Sequence, residues 1–94
     1  SESIELQSLT SNVLESSLKE HFPEANVSSI HIIDFDENFV NFSGTIKVES
    51  GVEFSAEDQE KVYSDLSEQL GLEVNMELEI VPIVLIPSEI DVIE

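Results

Sequence analysis

The sequence predicts a two-layer α+β fold: a three-stranded mixed sheet with two helices on one face. Three observations lead there. Apolar residues recur at steps of three and four in two stretches, 6–22 and 55–70. They alternate with polar residues in two others, 39–49 and 72–80, and the short polar sequence DEN (36–38) joins two strand-like segments. These are the periods of amphipathic helices, half-buried strands and a hairpin, and they give the order αββαβ.

The first helix is expected at about 5–22. Leu6, Leu9, Val13, Leu14, Leu18 and Phe22 form its apolar stripe, and Pro23 ends it by pushing the preceding residue out of helical dihedrals. VSSIHIIDF (27–35) is rich in β-branched residues and reads as the first strand. Strict alternation puts Ile30 and Ile32 on one face and Val27, Ile33 and Phe35, with His31, on the other. One of those sets must then point away from the helices, which predicts a partner, a second subunit or cover by the C-terminal tail. After the turn at 36–38, FVNFSGTIKVE (39–49) forms the second strand. Val40, Phe42, Ile46 and Val48 lie on its apolar face and Asn41, Ser43, Thr45, Lys47 and Glu49 on the other. The short connection makes the pair antiparallel.

SAED (55–58) opens the second helix with a capping-box pattern, Asp58 standing in for the usual glutamate. Val62, Leu66 and Leu70 form its stripe, Tyr63 lies beside it, and Gly71 is placed to terminate it. The third strand is expected over 72–81, with Leu72, Val74, Met76, Leu78 and Ile80 beneath the helices. A strand–helix–strand crossover makes it parallel to the second strand if the two are neighbours. The whole is half of a ferredoxin-like arrangement. Residues 1–82 read as one domain and 83–94 as an extended apolar and acidic tail. Pro82 lacks the amide that continues a ladder, so the strand must end or lie at an edge there. Ile83–Ile86 are too few to span a bilayer, which takes about 20 apolar residues. Four aliphatic side chains left in water are costly, so a homodimer is expected in which Ile83, Val84, Leu85 and Ile86, with Ile30 and Ile32, form the interface.

Composition narrows the function. Of 94 residues, 21 are acidic and three are lysines (Lys19, Lys47, Lys61), for a formal net charge of −18. Neutralising nucleic-acid phosphates or docking on an anionic membrane needs clustered Lys and Arg, so neither is expected. There is no cysteine, hence no disulfide, thiol nucleophile or zinc–thiolate site. The chain starts at Ser1 without a methionine or a leader-like segment, which suggests a domain cut from a longer protein. His21 and His31 show no zinc-ligand spacing, and Gly44, Gly51 and Gly71 are too scattered for a phosphate loop. Asp34, Asp36 and Asn38 have the spacing that opens a calcium loop. However, Phe39 stands where glycine is required and Thr45 where the bidentate glutamate belongs, so the reading is a hairpin turn. Glu73, Glu77 and Glu79 share one strand face and are the candidate ligands for a weakly held divalent cation; otherwise they are a solvated acidic stripe. No catalytic set and no other cofactor is expected.

Two resemblances bear on this. HFPEANVSSIHI, FSAEDQEKVYSDLSEQL and VNMELEIVP, within residues 6–82, resemble in element order the cytoplasmic C-terminal domain of cation diffusion facilitator transporters. That family's metal-binding histidines are not matched here. FSAEDQEKVYSDLSEQLGLEVNMELEIVP is similar, more closely, to soluble tails of an uncharacterised family of prokaryotic membrane proteins with a conserved hydrophobic domain. Both resemblances imply a non-enzymatic regulatory or interaction domain, cytoplasmic and appended to a membrane-embedded partner or parent chain. The alternatives are a divalent-cation-binding regulatory module and, last, a small carboxylate-dependent hydrolase.

Overall fold

The computed structural model describes residues 2–87. It contains, in order, α1 (Glu2–Lys19), β1 (Asn26–Phe35), β2 (Phe39–Glu49), α2 (Ala56–Leu70) and β3 (Glu73–Ile83). The sheet order is β1-β2-β3, with β2 antiparallel to β1 and parallel to β3. This is the expected αββαβ mixed sheet. Its central strand buries Val40, Phe42, Ile46 and Val48 against Val13, Leu14 and Leu18 of α1 and Val62 and Leu66 of α2.

Each helix is set by local chemistry. Glu2 and Glu5 lie in the first turn of α1 and Lys19 in its last, the arrangement the helix dipole favours. The helix ends at Lys19, three residues short of expectation, and Phe22 N–H then bonds back to Leu18 O (2.8 Å). Its buried stripe is Thr10, Val13, Leu14, Ser17 and Leu18; Leu9, expected inside, is 49% exposed, and Thr10 takes the inward position. At α2, Ser55 and Asp58 form the reciprocal capping box: Asp58 N–H donates to Ser55 Oγ (3.1 Å) and Ser55 N–H to Asp58 Oδ2 (3.0 Å). The Ser55 N–H, and after it the Ser55 hydroxyl, which also donates to Asp58 Oδ2 (2.8 Å), hold the Asp58 carboxyl below its usual pKa. Gly71 ends α2 at φ 67°, a left-handed conformation that glycine adopts without a Cβ penalty. The helices are tied by a polar seam, in which Ser17 Oγ donates to Asp65 and Lys61 Nζ to Glu20 (2.9 Å).

The first strand departs from strict alternation. Register shifts fall between Val27 and Ser29 and between Ile32 and Asp34, so Ser28 and Ile33 are bulge residues. Across the ladder Val27 faces Ile46, Ile30 faces Gly44, Ile32 faces Phe42 and Phe35 faces Val40. All four therefore point into the helix-covered side. Ile30 is 7% exposed and Ile32 packs against the core, so neither belongs to an outward interface, and only Ile33 (53% exposed) is left outside. Beside the bulges, Val27 N–H donates to Glu15 Oε1 (3.1 Å) and Phe35 N–H to Asp34 Oδ1 (2.9 Å). Asp36 closes the hairpin, its Oδ1 accepting from Asn38 N–H (2.7 Å) and Phe39 N–H (3.1 Å). That carboxylate organises a turn, as the mismatched calcium-loop spacing implied.

The third strand runs through Pro82 to Ile83, beyond the end expected at 81. At its two ends, Glu73 N–H donates to Asn38 O (2.9 Å) and Ile83 O accepts from Ser50 N–H (2.7 Å). Odd-numbered residues therefore turn their peptide groups toward β2, and even-numbered ones, Pro82 included, turn theirs to the outer edge. The proline costs no ladder bond there.

Most of the acidic side chains are exposed, and the fold must hold their mutual repulsion. Raising NaCl from about 0.01 M to about 1 M shortens the reach of each charge from about 30 Å to about 3 Å, so the melting temperature is expected to rise across that range. Scanning calorimetry checks this, and a flat series would show that repulsion does not limit stability.

Candidate functional site

The sheet face opposite the helices is polar throughout its centre. Ladder register stacks it into cross-strand rows: Ser29–Thr45–Glu79, His31–Ser43–Glu77 and Asp34–Asn41–Asn75. Asn26 and Lys47 begin a further row that ends at Val81. The middle of the face is a shallow concavity of about 540 Å³ lined by Ser29, His31, Ser43, Thr45, Glu77 and Glu79. One cross-strand bond is formed within it, from Thr45 Oγ1 to Glu79 Oε1 (3.4 Å).

The row His31–Ser43–Glu77 brings together the residue types of a nucleophilic triad in the wrong order. An activated serine needs histidine between it and the acid, so that one imidazole nitrogen takes the proton while the other is held. Here the serine lies between the two. Backbone N–H groups at the centre of a sheet are also spent in ladders, leaving none aimed at a developing oxyanion. The row therefore lacks the order and the donors that the triad mechanism requires.

The candidate cation ligands Glu73, Glu77 and Glu79 do share this face. A strand rises about 3.3 Å per residue, which sets Glu73 about 13 Å from Glu77 along the chain, too far to share an ion. Among the described residues, no three His, Cys, Asp or Glu side chains are grouped to hold a metal. Spacing in sequence gathered these residues on a face but not at a point.

The expected interface residues separate in the same way. Ile30 and Ile32 are inside, as described above, and Ile83 is the half-buried last residue of β3. Val84, Leu85 and Ile86 follow as an exposed run, at 76%, 60% and 87%. Residues 88–94 of the predicted tail lie outside the described residues.

A second surface, unanticipated from sequence, adjoins the first at β3. α2 packs against α1 and covers β3 incompletely, so Met76, Leu78 and Ile80 are only half-buried. Two connected grooves result between α2 and the sheet edge. One, of about 330 Å³, is lined by Gln59, Glu60, Tyr63, Val74 and Met76. The other, of about 120 Å³, is lined by Phe54, Gln59, Met76, Leu78 and Ile80. The signal available in the sequence was the crossover topology, which leaves the third strand at an edge with one flank to cover and only one short helix to cover it. In comparison with known proteins, the chain matches no family model, no curated protein and no solved structure.

Proposed function

We propose that this chain is a non-enzymatic interaction and regulatory domain that self-associates through the aliphatic run after β3. The observation that carries this reading is Val84–Leu85–Ile86, three consecutive aliphatic side chains at 60–87% exposure. Burying each fully is worth about 1.5–3 kcal/mol, a gain that a second copy would supply. The remainder of the site supports binding over catalysis: a polar hydrogen-bonding face, a serine on the wrong side of its histidine, and an open sheet edge. No helix among the described residues is long and apolar enough to cross a membrane. The two resemblances would make the domain an appendage of a membrane-embedded chain, with the self-association linking two such chains.

The test is light scattering on the full chain near physiological salt, where the reach of each charge falls to about 8 Å and like-charged copies can approach. A dimer is expected, and V84S/L85S/I86S is expected to be monomeric with an unchanged melting curve, since these side chains support nothing in the core. A chain that is monomeric at every salt concentration, or a variant that still dimerises, removes the reading.

A further inference from the structure

We propose that the outer edge of β3 takes up an added strand from a partner protein, an extended segment in which apolar residues alternate with lysine or arginine. The inference deepens the interaction-domain reading and rests on it, but uses a different surface from the aliphatic run.

The two edges of the sheet are not equivalent. On β1 the bulges at Ser28 and Ile33 break the repeat, and the amides of Val27 and Phe35 are already bound by Glu15 and Asp34 carboxylates. A regular strand finds no continuous ladder there. On β3 the register with β2 is uninterrupted from Glu73 to Ile83. Val74, Met76, Leu78 and Ile80 turn their N–H and C=O groups outward, and no other strand among the described residues pairs with them. Pro82 closes the ladder at one end, so the edge has a defined length.

The flanks specify the occupant. On the helix side of the edge lie the two grooves, in which Tyr63, Phe54, Met76, Leu78 and Ile80 are half-covered or exposed beside the polar Gln59 and Glu60. On the other side stand Glu73, Glu77 and Glu79 in a row, and Glu60 borders the groove from α2. No lysine lines either groove: Lys61 is held across the helix seam by Glu20, with Asp65 nearby. An added strand sends successive side chains to opposite faces. One set must therefore be apolar, to fill the grooves beneath α2, and the other cationic, to meet the glutamates across the strand pair. A second copy of this chain is excluded from the edge by the same residues, because β3 beside β3 would set glutamate rows against each other. The charges thus reject self-pairing and select a basic partner with one device.

Two short soluble peptides test this on the full chain, one alternating valine with lysine and the other valine with glutamate. Amide exchange followed by NMR is expected to show protection of Val74, Met76, Leu78 and Ile80 with the lysine peptide only. Affinity should fall about tenfold from low to high salt, since the pairing charges lie at the surface. The variant E77Q/E79Q, which keeps side-chain shape, is expected to weaken the lysine peptide several-fold and to melt no lower than the parent. Equal binding of both peptides, no binding, or protection confined to β1 or to the open face would each overturn the proposal. Light scattering without peptide reports on the aliphatic run alone, so a monomeric chain that still protects the β3 amides would sink the self-association and leave the edge proposal standing.

Discussion

Phe42→Ala is expected to remove a large part of the protein's folding stability. Phe42 sits at the centre of the middle strand with no exposed surface, between Ile32 on β1 and Met76 on β3, beneath both helices. Truncating a buried phenylalanine costs about 3–5 kcal/mol through lost transfer energy and the cavity left behind. A 94-residue fold has only about 0.05–0.15 kcal/mol per residue in hand, so the loss takes up much of the total. Urea unfolding should show the midpoint falling by about a fifth or more at unchanged slope. A change under about 1 kcal/mol would mean that the core can collapse around this position and that the helices are held chiefly by their own polar seam.

Gly44→Val is the second large effect, and it works by overfilling. Gly44 occupies a helix-facing position of β2 between Ile30 and Leu78, which lean over it from the neighbouring strands. A Cβ added there would lie 2.9 Å from Ile30 Cδ1, 3.3 Å from Leu78 Cδ2 and 3.3 Å from the Ser29 carbonyl oxygen. Alanine is expected to be mild, because the terminal methyl of Ile30 can rotate away and the loss of glycine's backbone freedom repays part of the crowding. Valine adds two further methyl groups with no comparable escape, and about 1–3 kcal/mol of destabilisation is expected. Thermal melting of G44A, G44V and the double variant I30V/G44V checks the cause. Removing Cδ1 of Ile30 should return part of the loss, and a double variant no better than G44V would place the strain elsewhere.

Much of the fold was legible because its signals are local. The capping box at Ser55 and Asp58, the stop at Gly71, the turn at Asp36 and the alternation in β2 each follow from a few adjacent residues. What was misread depended on geometry between elements. Leu9 and Thr10 are neighbours on the same helix, and the choice of which turns inward is made by how α1 lies across β1, not by hydrophobicity. Ile30 and Ile32 were assigned to an outer face because a bulge converts one parity into the other, and only the doubled residues Ser28–Ser29 and Ile32–Ile33 hint at it. The candidate site was less legible still. The glutamates of β3 were found, but their spread along the strand and their place beside an uncovered groove depend on how far α2 reaches.

The bulges carry one more consequence. With Ser28 and Ile33 set aside, β1 reads Asn26, Val27, Ser29, Ile30, His31, Ile32, Asp34, Phe35, an unbroken alternation that already points every side chain where the fold puts it. The two residues are thus spare for packing: deleting both would turn no side chain over. Such a shortened chain would differ in having a straight, regular strand at each end of the sheet. Molecules with two open ends can add to one another without limit, as fibres do, whereas a single open edge admits one added strand and is then closed. Two residues that contribute little to the interior therefore set an upper bound on the size of any assembly the sheet can build.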